Sequence, residues 1–171
     1  MRLFLVGLVA TLASVASADL AWWIEIRIEP IGTQFRGLPV TDLSTPLKRL
    51  TLLSCQSPSP TFTKEQCAEI RNNGGRFEYT GDLNGDGRDE VLNIGVAERI
   101  DGSLIGVLII SDVDSPTTNQ VLPLGINGFH TLWSSGAKID FYPCMECDGG
   151  KTLRWDSVKK QYFLEPHPEY G

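Results

Sequence analysis

Between Gly81 and Leu92 the chain reads Gly-Asp-Leu-Asn-Gly-Asp-Gly-Arg-Asp-Glu-Val-Leu. Asp82, Asn84 and Asp86 alternate with small or outward-pointing residues, so a tightly coiled loop can turn three side-chain oxygens towards one centre. Hard oxygen donors suit Ca2+. Gly87 gives the backbone freedom for a sharp turn after the third donor, the Arg88 carbonyl can add a main-chain oxygen, and Glu90 falls at the ninth position of the loop. The cofactor expected from this spacing is Ca2+, with Asp82, Asn84, Asp86 and Glu90 as side-chain ligands and Arg88 contributing through its backbone. The same Asp, Asn and Gly residues also suit a hairpin turn without metal.

The residues on the C-terminal side of the loop decide among its possible relatives. A helix-loop-helix calcium site needs a Glu at the twelfth position to close the coordination sphere, and counted from Asp82 that position is Asn93. The run Val91-Leu92-Asn93-Ile94-Gly95-Val96 is β-branched and apolar, a strand rather than a helical face. The stretch resembles the Asp-x-Asn-Gly-Asp-Gly-x-x-Asp/Glu loop of FG-GAP and VCBS-type repeats, the integrin-like β-propeller family, over roughly residues 80–111. That resemblance implies Ca2+ on the same five residues and a buried strand after the loop. It does not extend to a propeller: the motif occurs once here, and a propeller closes with at least ~4 blades.

The four cysteines form the second group with chemistry. Cys55 and Cys67 flank a short loop and a helix start, and a structural disulfide between them is the preferred one of three connectivities. Cys144 and Cys147 are spaced as Cys-x-x-Cys, which can be a local disulfide, half a zinc site or a redox pair. The local disulfide is preferred, because the surroundings read as strand-loop-strand and the two histidines, His130 and His167, stand alone. His130, beside Phe129 and Trp133, is the single catalytic candidate, with a packed histidine the plainer reading. Asp112 and Asp114 lie in a polar loop that lacks a glycine framework for a second metal site.

The elements that must position these residues read as mainly β with one short helix, an antiparallel sheet or meander and not a closed propeller. Trp22–Glu29 alternates apolar and charged side chains as a half-buried strand ending at Pro30, and its two tryptophans suit either core or a binding patch. Leu47–Ser54 is another strand, and Thr63-Lys64-Glu65-Gln66 has the spacing of a capping box at a brief helix. Strands enter and leave the loop, and Ile100-Asp101-Gly102-Ser103 turns the second into Leu104–Ser111, apolar on both faces and hence central. Further strands are expected at Val121–Leu124, Phe129–Trp133 and Lys138–Tyr142, with a last hairpin from Lys151 to Leu164.

Met1–Ala18 has the basic start, apolar run and Ala-Ser-Ala end of a signal peptide, leaving residues 19–171 as one β-rich domain in the periplasm or outside the cell. The formal charge of −6 argues against nucleic acid and anionic membrane as partners, and no second apolar stretch suits a transmembrane anchor. The sequence has no nucleophile elbow, phosphate loop or zinc-protease motif. The expectation is an exported, non-catalytic, calcium-stabilised domain that binds another protein or a glycan, as a periplasmic inhibitor or immunity-type protein does. The alternative from another class is a secreted hydrolase or a Cys-x-x-Cys thiol-disulfide redox protein.

Overall fold

The computed structural model describes residues 21–56, 60–117, 119–135, 138–147 and 149–168. In chain order its elements are α1 (Trp22–Glu25), β1 (Gln34–Phe35), β2 (Leu38–Pro39), β3 (Leu47–Leu52), α2 (Lys64–Asn72), β4 (Glu78–Gly81), β5 (Glu90–Arg99), β6 (Leu104–Asp112), β7 (Asn119–Ile126), β8 (Thr131–Ser135), β9 (Lys138–Tyr142), β10 (Lys151–Asp156) and β11 (Gln161–Pro166). The signal-peptide reading of residues 1–18 lies outside the described residues.

The molecule is mostly antiparallel β-sheet, and none of its sheets closes into a barrel or propeller. The first sheet is ordered β3-β5-β6-β7, with β4 sharing the outer side of β5 with β3. β4 pairs with residues 90–93 of β5 and β3 with residues 95–99. The second sheet is ordered β11-β10-β9-β8, and β1 and β2 form a small separate hairpin.

β5 and β6 are buried on both faces because apolar side chains occupy both parities of each strand. Leu92, Ile94, Val96, Leu108 and Ile110 face the second sheet and α2, where they meet Leu132, Ile139, Phe141 and Leu153. Ala97, Val107 and Ile109 face the other way, onto Phe35, Val40, Leu43 and Leu47 of the N-terminal segment. Fully burying each such large side chain contributes roughly 1.5–3 kcal/mol. The central place read for Leu104–Ser111 is the one it takes, and the capping box is formed, with Thr63 accepting from Gln66 N and the Gln66 side chain accepting from Thr63 N.

The strand read over Trp22–Glu29 is corrected. Trp22–Glu25 is a single helical turn, followed by chain without strand pairing. Alternation required Ile24 in the core, yet Ile24 is 55% exposed. Trp22 decides the matter: its indole N–H donates to Glu69 Oε2 of α2 at 2.8 Å, and its ring packs edge-on against Phe62 and Phe129. A helical turn brings Trp22, Trp23 and Ile26 onto the core together, which the alternate faces of a strand would not. Trp22 and Trp23 are thus partly buried against the core.

Candidate functional site

The loop of residues 82–89 joins β4 to β5, whose last paired rung is Gly81 with Glu90. Its shape comes from side chains that imitate backbone acceptors. Asp82 Oδ1 accepts from Gly85 N at 2.7 Å and Asp86 N at 3.2 Å, and Oδ2 accepts from Gly87 N at 3.0 Å. Asn84 Oδ1 accepts from Asp86 N at 2.8 Å and Asp86 Oδ1 from Arg88 N at 2.9 Å. Gly85 and Gly87 take φ of 78° and 85°, the left-handed region that glycine enters without steric cost.

Glu90 closes this arrangement from the first residue of β5. Its Oε2 accepts from Leu83 N at 2.8 Å and its Oε1 from Asn84 Nδ2 at 2.6 Å. Asn84 Nδ2 also points at Asp86 Oδ2, 3.3 Å away. Glu90 is 4% exposed. Burial raises its pKa above the ordinary carboxylate value, and the charges of Asp86 and Asp82 act in the same direction. The Leu83 amide and the nearby Tyr162 hydroxyl oppose that rise without cancelling it. Among the described residues the ion pairs engage Glu98, Asp140, Asp156 and Glu165, and none reaches Asp82, Asp86 or Glu90.

The structure therefore brings Asp82, Asn84, Asp86 and Glu90 into one hydrogen-bonded loop, while Arg88 enters through its backbone amide. They do not converge as a ready cation cage, and the described residues contain no compact group of three His, Cys, Asp or Glu side chains arranged to hold a metal. The donor chemistry fits Ca2+: hard oxygens, three of the four side chains being carboxylates. Asn84 Nδ2 is directed at Glu90 and Asp86, and a half-turn of that amide, which gives up the bond from Asp86 N to Oδ1, would present its oxygen instead.

Tyr162 of β11 was not legible as part of this site. It joins Asn84, Asp86, Glu90, Gln120, Trp155 and Lys160 around a cleft of about 250 Å3. Gln120 of β7 fixes its backbone, accepting from Tyr162 N at 2.8 Å and donating to Tyr162 O at 2.6 Å. The ring lies against Trp155, centroids 4.7 Å apart. Its hydroxyl oxygen is buried and has no hydrogen-bond partner of proper geometry among the described residues, although Glu90 and Asn84 lie beside it. Burial first, and then the Glu90 charge, push its pKa above the ordinary phenol value.

Both preferred cysteine pairs stand at disulfide distance. Cys55 and Cys67 have Cα atoms 5.6 Å apart and join the segment after β3 to α2, and Cys144 and Cys147, 5.4 Å apart, sit between β9 and β10. His130 is a packed residue: it is 4% exposed, its Nε2 lies 3.0 Å from Ile126 O, and burial holds its pKa below the ordinary histidine value, helped by the Lys151 charge. Gly106 carries no side chain where the His130 ring lies.

Asp140, Thr152 and His167 form a further polar cluster. Thr152 Oγ1 donates to Asp140 Oδ1 at 2.5 Å, and His167 Nε2 lies 3.1 Å from both oxygens. Burial alone would raise the Asp140 pKa, but bonds from Thr152, Lys138 and His167 outweigh it and hold the carboxyl below its usual range. Because Thr152 already donates to the carboxylate, the histidine is not placed between hydroxyl and acid as a nucleophilic relay requires. The cluster ties the chain after β11 to β9 and β10.

A second cleft, of about 440 Å3, opens beside β5 between the end of β3 and the start of β4 and is lined by Leu53, Ile70 and Phe77 together with Arg71, Arg76 and Asn93. Asn93 is 8% exposed. Comparison with protein-family models, curated proteins and solved structures finds no match, so no relative assigns this chain a family or an activity.

Proposed function

We propose that this chain is an exported, non-catalytic domain whose fold is stabilised by Ca2+ at the 82–90 loop and which acts by binding another macromolecule. The observation that carries the calcium part is Glu90: a buried carboxylate beside two further acidic side chains, with no cationic side chain paired to any of the three among the described residues. Asp82, Asn84, Asp86 and Glu90 would supply side-chain oxygens and Arg88 its carbonyl. The ion's contribution there is charge neutralisation and ordering of the turn, not activation of water.

Export is supported by the leader-like sequence of residues 1–18 and by two cysteine pairs at disulfide distance, which suit an oxidising compartment. No described helix is long and apolar enough to cross a membrane. A protein or glycan partner is favoured by the acidic charge of the chain and by the polar-lined cleft beside the loop.

The test joins partner capture to local stability. Affinity capture from extracts identifies the partner, and its affinity is then measured with calcium and with chelator alongside hydrogen exchange. For a structural ion, affinity is expected to fall on chelation only under conditions where exchange also rises in Glu90–Val96 and Leu104–Ile110. Loss of affinity with unchanged protection would move Asp82, Asn84, Asp86 and Glu90 from scaffold to interface.

A further inference from the structure

The loop belongs to the first sheet and Tyr162 to the second, and in the cleft between them the Tyr162 hydroxyl makes no hydrogen bond of proper geometry among the described residues. Tyr162 is 7% exposed, its backbone is fixed on both sides by Gln120, and its ring is held by Trp155. The hydroxyl therefore has little freedom to seek water, and a buried donor without an acceptor bears the full cost of its desolvation. A natural acceptor stands beside it, the Glu90 carboxylate, whose Oε1 receives the Asn84 Nδ2 hydrogen at 2.6 Å.

Asn84 has two incompatible roles. A cation in the loop requires its carboxamide oxygen, whereas the bond to Glu90 uses its nitrogen, on the side where Asp86 Oδ2 also lies. Turning the amide to serve an ion withdraws the donor from Glu90 and leaves that carboxylate free to be held from elsewhere. Resting on the calcium reading above, we propose that Tyr162 is a positioning residue of the cation site. In the calcium-bound chain its hydroxyl takes over the bond that Asn84 makes in the metal-free arrangement and holds Glu90 towards the ion. The site then spans both sheets, so binding the ion tightens the contact between β11 and the end of β5.

The experiment compares wild type with Tyr162→Phe, which removes one oxygen and keeps the ring. Calcium affinity is read by titration calorimetry with the metal alone, and thermal melting is followed in calcium and in chelator. The phenylalanine variant is expected to bind Ca2+ roughly tenfold or more weakly, the scale of one hydrogen bond to a charged group. In chelator it is expected to melt at or above wild type, because an unpaired buried hydroxyl is gone, and in calcium below it. A merely packed tyrosine would show no such crossing. Equal calcium affinity in the two proteins, or equal destabilisation under both conditions, overturns the role of Tyr162 and leaves the calcium reading in place. No binding by the wild type removes both. Hydrogen exchange gives an independent measure: calcium is expected to protect amides of β11 as well as β5, and protection confined to β5 would show that the site does not span the sheets.

Discussion

Replacing Asp82 with alanine separates the two tasks its carboxylate performs. In the metal-free loop it accepts amides of Gly85, Asp86 and Gly87. The Asp86 amide keeps a second acceptor in Asn84 Oδ1, so the loss falls on the Gly85 and Gly87 amides, which are exposed and can turn to water. The change resembles loss of a helix cap, about 1 kcal/mol, and in a domain of this size lowers Tm by about 2–4 °C. Calcium at about a hundredfold its Kd would stabilise the wild type by ~2.7 kcal/mol, which by the same conversion raises Tm by about 5–10 °C. Melting curves by circular dichroism, with calcium and with chelator at matched ionic strength, give both differences. The expected pattern is a modest deficit for Asp82→Ala in chelator and no calcium increment. A variant that keeps the wild-type increment would show that Asp82 is not a ligand. A wild type indifferent to saturating calcium would end the calcium reading, and a variant equal to wild type in chelator would contradict the capping argument.

Two other features give expectations of their own. Burial holds the folded-state pKa of His130 below its ordinary value of 6.5, so between those two values the unfolded chain binds more protons, and stability falls as pH drops through that window. Urea unfolding between neutral and mildly acidic pH should show this slope, and His130→Gln, which keeps a donor for Ile126 O, should flatten it; an unchanged slope would assign it to another group. The cysteine pairs close loops of different length, with sequence separations of 12 and 3. Chain-entropy arguments give about 3 kcal/mol for Cys55–Cys67 and about 2 kcal/mol for Cys144–Cys147. Paired serine substitutions should therefore destabilise in that order, and mass-shift alkylation of the intact protein should find no free thiol. Two reactive thiols at Cys144 and Cys147, or exchange activity lost in Cys144→Ser, would favour redox chemistry instead.

Features legible in the sequence are those whose cause is local. The loop-strand junction, the turn at Ile100–Ser103 and the capping box at Thr63 depend on residues a few positions apart. The burial of β6 on both faces comes from its unbroken apolar run. The Trp22–Glu29 reading failed because its alternation was genuine but irrelevant: the conformation is set by Glu69 and the aromatic pair Phe62 and Phe129, all distant in sequence. Tyr162 was missed for the same kind of reason. Nothing near Gln161–Leu164 marks its hydroxyl as a neighbour of Glu90, because that proximity arises only when the second sheet packs on the first and Gln120 fixes the register of β11. The Asp140, Thr152 and His167 cluster likewise needs three separate segments to meet.

Placement explains why the loop bears on more than its own conformation. Glu90 opens β5, the strand that pairs with β3, β4 and β6, and stands opposite Asp112 at the far end of β6. That end is gripped from the N-terminal segment by Arg36, whose guanidinium donates to Ser111 Oγ, Asp112 O and Val113 O. Arg36 therefore directs its donors to carbonyls and a hydroxyl, and leaves the acidic side chains of the loop without its charge. Order at this end of the central hairpin thus rests on two devices of different kind: a fixed cation holding β6, and a cluster of carboxylates where the loop enters β5 whose mutual repulsion a bound cation would relieve. Under the calcium reading the second device is conditional. The core formed by Leu92, Ile94, Leu108 and Ile110 does not require the ion, whereas the outermost rungs of β4, β5 and β6 respond to it. Any opening that releases the ion, of this edge or of the whole fold, is then opposed by the same binding free energy, so protection at the edge and the melting temperature should rise together with calcium.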